Sequence, residues 1–258
     1  MMEGKRPQND AIYTTTSVIG VLLALGSFEH GLFETLQGYA KPPGYIIQAI
    51  GVNLRWWPSG TEEAFTIIPN YLITGVVVIL ISIFAAIWSV KYIKTPRGSL
   101  VFLVSFIALT LFGGGIGHIP FFVTTWAFSL KAKSPLVWWR RRITNGKGIE
   151  RIKILWRVFL VFISILWLLA VEIAIFGYFP GVDEEDLLLA ICWGALLATL
   201  LLIVITYTIA MILAACRRAR TPSCRACPCC RRGRLPHAGK RAGLPDPAFR
   251  KRTRCRLP

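Results

Sequence analysis

The chain has 258 residues, 54% of them hydrophobic, and a formal charge of +17. A soluble domain carries roughly 45–50% apolar residues, so the composition excludes an ordinary soluble fold and assigns apolar surface to lipid. The charge does not define a nucleic-acid binder: residues 217–258 hold 14 of the 30 Lys and Arg, and the 216 residues before them hold 16 basic and 12 acidic ones, a balance usual for a membrane protein with basic cytoplasmic loops.

The apolar residues gather into five runs, Ile12–Phe33, Ile67–Val90, Leu100–Leu130, Ile154–Phe179 and Leu187–Ala215. These lengths approach or exceed the roughly 20 residues that a helix needs to cross the hydrocarbon core. Lys5 and Arg6 precede the first run, and Ala24-Leu25-Gly26 offers a weak signal-peptide cleavage site. With several spans following, a retained first helix is the expectation.

The end of the first run is polar: Ser27-Phe28-Glu29-His30-Gly31-Leu32-Phe33-Glu34-Thr35-Leu36-Gln37. At helical spacing His30, Glu34 and Gln37 fall within about 60° of one another, with Glu29 on the shoulder. Counting from Ile12, Glu29 and His30 lie in the last turn of hydrocarbon. The connection that follows contains Arg55-Trp56-Trp57-Pro58 and Glu62-Glu63. It reads either as an aromatic belt at headgroup level or as a lid (Trp56, Trp57, Glu62, Glu63) over a site below.

The second run carries Pro69 in an expected first helical turn, where its missing N–H is tolerated, and Asn70 near the same depth. The third is interrupted by Gly113-Gly114-Gly115-Ile116-Gly117-His118-Ile119-Pro120. It is too short for two spans and too broken for a straight helix, which leaves a kinked crossing or a re-entrant hairpin. In the hairpin arrangement 28 of the 30 Lys and Arg lie on one side, with Lys41 and Arg55 on the other; since basic loops face the cytoplasm, re-entry is the better reading. Cysteines at Ser99 and Ser134 are then expected to label from the same side.

The fourth run is bounded by Trp156-Arg157 and by Tyr178-Phe179-Pro180, and holds Glu172 about 10 Å below its outer end. The fifth repeats Ala190, Gly194 and Ala198 every four residues, a stripe that lets another helix approach. From Arg217 the last 42 residues contain no Ile, Val, Tyr or Trp. They cannot build a core, and the abrupt change of residue types fits a disordered tail or an out-of-frame or chimeric end. Cys224, Cys227, Cys229, Cys230 and His237 lack the second ligand pair of a zinc ribbon.

The expected architecture is thus an all-α integral membrane protein with four transmembrane helices plus a Gly-rich re-entrant hairpin, or alternatively five transmembrane helices. Its domains are 1–216 in the membrane and the basic tail 217–258. The expected setting is the cell membrane, multi-pass, with tail and basic loops cytoplasmic. No sequence motif names a substrate, cofactor or reaction.

Charged groups at depth are costly and by default suggest function. Glu29, His30, Glu34, Gln37, Asn70, His118 and Glu172 are therefore expected to converge on one polar cavity in the outer half of the bilayer. This suits a small transport-like protein coupled to a proton or small cation. A scaffold or assembly subunit, packing on a helix partner or a second copy through Ala190, Gly194 and Ala198, is the alternative, and a metal-binding or redox protein a further one. Glu172 decides between the first two: if it faces lipid, or lies apart from the rest of the cluster, the site hypothesis fails and the scaffold reading takes its place.

Overall fold

The computed structural model of the chain describes residues 10–133 and 149–220. Its helices are α1 (Asp10–Leu36), α2 (Tyr71–Lys91), α3 (Gly98–Phe112), α4 (Ile119–Ser129), α5 (Ile149–Phe176) and α6 (Glu185–Arg220), with 3-10 turns at Ile116–His118 and Leu130–Lys133. Helices α1, α2, α5 and the stretch Glu185–Cys216 of α6 are long and apolar enough to cross a membrane; α3 is a shorter apolar helix. This is the helical membrane protein that the composition demands. Residues 134–148, with Ser134, and the tail from 221 lie outside the described residues.

Local chemistry sets the boundaries. Asn70 caps α2 by accepting a hydrogen bond from the Ile73 N–H at 3.0 Å, so Pro69 stands ahead of the helix, not in its first turn as expected. Helix α5 ends at Gly177, whose left-handed φ of 60° lets its N–H reach the Ile173 carbonyl, a common helix stop. Helix α1 runs unbroken through Ala24-Leu25-Gly26. A short antiparallel hairpin, which an all-α reading did not foresee, pairs β1 (Ile46–Gln48) with β2 (Glu63–Phe65), Ile47 opposite Ala64.

Helix α1 is central, with Ile12, Ile19 and Leu23 buried. It crosses α2 at glycines: a Cβ on Gly31 would stand 2.8 Å from the Gly75 carbonyl oxygen, so the backbones touch. Further along the same contact Ser17 donates to the Ser89 carbonyl at 2.7 Å. Helices α5 and α6 pack through Ala170, Ile173, Leu188, Cys192 and Ala195. The packing face of α6 is therefore not the small-residue stripe. Ala190 and Gly194 are exposed, Ala198 is half-buried, and a Cβ on Gly194 would meet nothing.

Contacts sort into two ends. At one, Trp156 donates to Thr15, and the Tyr207 hydroxyl lies 2.8 Å from that of Thr16. At the other, Trp57 donates to the Ala174 carbonyl and Ser59 to Glu185. Segment α3–α4 turns back between them. Phe106 stacks on Phe122 at 5.8 Å, whereas sixteen residues of continuous helix would span about 24 Å. The far end of α4 stays at the first end, where Phe128 stacks on Tyr207 at 4.9 Å.

Candidate functional site

The turn between α3 and α4 carries its polar groups to the C-terminal part of α1, at Ser27 and His30. His118 Nδ1 lies 2.7 Å from the Gly114 carbonyl oxygen; a carbonyl only accepts, so Nδ1 carries the proton. Ser27 donates to the same carbonyl at 2.9 Å. The rings of His30 and His118 stand edge to face with centroids 5.6 Å apart, and His118 also leans on Trp167 at 5.4 Å. Both histidines are buried.

His30 has a partner from outside the helices. Its Nε2 lies 2.9 Å from Glu62 Oε2. Glu62 just precedes β2 and, at φ 46°, is the only non-glycine among the described residues in the left-handed region. Side chains pay strain there that a surrounding structure must offset. The hairpin supplies it: the Glu62 carbonyl accepts the Ala49 N–H at 2.8 Å. Burial works against ionisation of the Glu62 carboxyl, but the hydrogen bond from His30 and the fields of His30 and His118 outweigh it, and the group is held below the ordinary carboxylate range. Glu29, half-buried, is near enough to Glu62 for the two carboxylates to repel.

The glycine run shapes this site. Gly113 (φ 115°) and Gly115 (φ 91°) adopt backbones that side chains rarely take. A Cβ on Gly115 would stand 2.8 Å from His30 Nε2 and 3.0 Å from His118 Nδ1, and one on Gly113 would stand 2.5 Å from Glu34 Oε1. Glu34 is 0% exposed, and neither carboxylate oxygen has a hydrogen-bond partner among the described residues. His30 Nδ1 is likewise unpartnered.

Of the residues expected to converge, His30, Glu34 and His118 do so around the glycine turn, with Glu29 at the edge. Three do not. Gln37 spends its amide nitrogen on the Gln48 and Ala49 carbonyls, strapping the hairpin to α1. Asn70 is a helix cap. Glu172 is exposed on α5 with no polar partner among the described residues, because the face of α5 that packs inward is the one carrying Trp167, Ala170 and Ile173. The site as drawn from the sequence, with Glu172 as its sharpest member, is therefore not what forms.

Of the lid residues, Trp57 lies over Gly177 and Gly60, and Trp56 meets Phe33 at 5.8 Å and Phe176 at 5.1 Å, both edge-on. Trp56 thus bridges the C-terminal ends of α1 and α5, and Trp57 packs on the end of α5. Glu63 is exposed in the hairpin, with Gln48 opposite it. The role expected of Glu172 falls to Glu62, a loop residue whose partner no periodicity could reveal. The glycine run was legible as the break in the third segment, but its contacts with His30 and Glu34, and the bond from Ser27 to Gly114, were not. Among the described residues, no group of three or more of His, Cys, Asp and Glu that could hold a metal ion is found.

Fold and site together define a polytopic helical protein of the membrane class with a buried Glu and His group at one end. No family model matches the chain, and no curated protein or solved structure matches it either.

Proposed function

We propose that the protein is a small transport-like membrane protein, coupled to a proton or small cation, whose site is the group His30, Glu34, Glu62 and His118. Glu34 carries this reading. Its carboxyl is wholly buried and both oxygens are unpartnered, so it contributes nothing to stability as it stands. Placing a carboxylate at depth costs at least about 2.5–3.5 kcal/mol on insertion scales. Without a hydrogen-bond donor at hand, a proton or a cation is what offsets that cost. A residue that only tied helices together would be bonded to one.

In this reading four helices span the cell membrane and α3–α4 form a re-entrant hairpin. The Phe106–Phe122 stack supports it, as does the sorting of basic residues that puts 28 of 30 on the cytoplasmic side. The site then lies in the outer half, under the loop of Trp56, Trp57 and Glu62. Irregular backbone inside the membrane is tolerated where protein surrounds it, and broken helices recur in transport sites, there near the midplane.

The test is thermal unfolding in lipid nanodiscs over a range of pH, with sodium, potassium or lithium exchanged for choline at constant ionic strength. A ligand bound only by the folded state adds about 2.7 kcal/mol at a hundredfold excess over Kd. The wild type should respond to pH or to one cation in a way that the double variant Glu34→Gln, His30→Gln does not. Identical profiles for the two proteins contradict the proposal.

A second reading, a scaffold or assembly subunit, is favoured by a separate observation. Glu172 and the Ala190 and Gly194 stripe all stand exposed, and the open space at Gly194 would admit a helix from another chain.

A further inference from the structure

Glu34 lies in the last turn of α1, three residues before Gln37, which directly follows the helix. Gln37 and Tyr71 line a cavity of about 380 Å³ at the outer end, together with Ile47, Gln48, Gly51 and Glu63. Tyr71 is also within electrostatic reach of the Glu34 carboxyl. The Gln37 amide nitrogen, bonded to the Gln48 and Ala49 carbonyls at 3.0 and 2.7 Å, holds the hairpin as the opposite wall. Tyr71 thus both lines this cavity and feels the charge of Glu34, a buried carboxyl with no hydrogen-bond partner among the described residues.

We propose that Glu34 is the proton-binding carboxyl of this protein, and that its proton arrives from the outer side through the cavity lined by Gln37 and Tyr71. This rests on the functional reading above and narrows it to one group, one ligand and one route. The neighbouring oxygens select the ligand. A hard cation needs several oxygen ligands, but at Gly113 it is the methyl of Thr74 that lies beside Glu34, with its hydroxyl facing Thr66 at 3.2 Å. The Gly114 carbonyl already accepts from Ser27 and His118. A proton needs only one oxygen of Glu34, and the step is its reversible addition to the carboxylate, with no other bond made or broken. Within the group, His30 stands beside Gly115 and Glu34 beside Gly113.

An apolar carbodiimide reacts with protonated carboxyls and not with carboxylates, and peptide mass spectrometry locates the adduct. The protein is placed in sealed vesicles with the hairpin side outward and the pH of the two compartments set separately. Glu34 should be labelled when the outer solution is acid, and labelling should fall about tenfold per pH unit once the carboxylate predominates. It should follow the outer pH alone, and an excess of sodium at fixed pH should give no protection. Glu34→Gln should remove the adduct; Glu34→Asp, which keeps the carboxyl, serves if the glutamine variant does not fold. Protection by sodium, dependence on the inner pH, or absence of label at Glu34 would each overturn the proposal. If the cation- or pH-dependent stability described above persists while Glu34 stays unlabelled, the inference fails and the broader functional reading stands.

Discussion

Gly113 and Gly115 each stand where a side chain has neither the backbone conformation nor the room, and each backs onto a titratable group. Gly115→Ala is the sharper probe, since its Cβ would enter the gap between His30 and His118. Strain at such a position costs on the order of 1–3 kcal/mol, and the variant should melt correspondingly lower, with Gly117→Ala, at an open position, as the harmless control. Glu62 makes a pH prediction. Its carboxyl is held below the ordinary range by His30, so its bond is fully present above that range and is lost as pH falls through the depressed value. A bond to a charged partner contributes about 1.5–3 kcal/mol. Proteolysis of the loop 38–70 should therefore accelerate in acid, and Glu62→Gln should show the fast rate at neutral pH; a rate that ignores both changes contradicts a stabilising role for the His30–Glu62 pair. The sequence made His30, Glu34 and His118 legible because depth and helical phase are periodic quantities. It misplaced Glu172 because depth alone does not say which way a helix turns, and that is decided by its packing partners, here Trp167, Ala170 and Ile173.

The elements were legible to within a few residues, because a span is a matter of length and hydropathy. Their pairing was not. The stripe Ala190, Gly194 and Ala198 has the spacing of a helix contact, yet α6 packs inward through Leu188, Cys192 and Ala195. The close crossing is instead Gly31 on Gly75, two isolated glycines on different helices that no single-helix pattern joins. This contrast is testable. Gly75→Leu should prevent α1 and α2 from meeting and collapse folding in mild detergent, whereas Gly194→Leu should leave the monomer's melting temperature unchanged. If Gly194→Leu instead abolishes an oligomer seen by cross-linking in lipid, the scaffold reading gains its partner surface; if it unfolds the monomer, the assignment of the α6 faces is wrong.

At the scale of the whole molecule, the two ends differ in chemistry. One gathers Thr15, Thr16, Phe128, Trp156 and Tyr207 in an apolar and hydroxyl-bonded packing; the other gathers the carboxyls and histidines beneath a hairpin and two tryptophans. That separation requires the chain to turn back at Gly113–His118, since a crossing third segment would carry α4 away from Tyr207. It also decides whether His118 can share a level with His30, so the whole site depends on it. The direct measurement uses single cysteines at the exposed positions Arg97, Lys131 and Tyr39, probed with an impermeant thiol reagent in sealed, uniformly oriented vesicles. Arg97→Cys and Lys131→Cys are predicted to label from the same side and Tyr39→Cys from the other. Labelling of Arg97→Cys and Lys131→Cys from opposite sides would contradict the fold-back and, with it, the site built on His118.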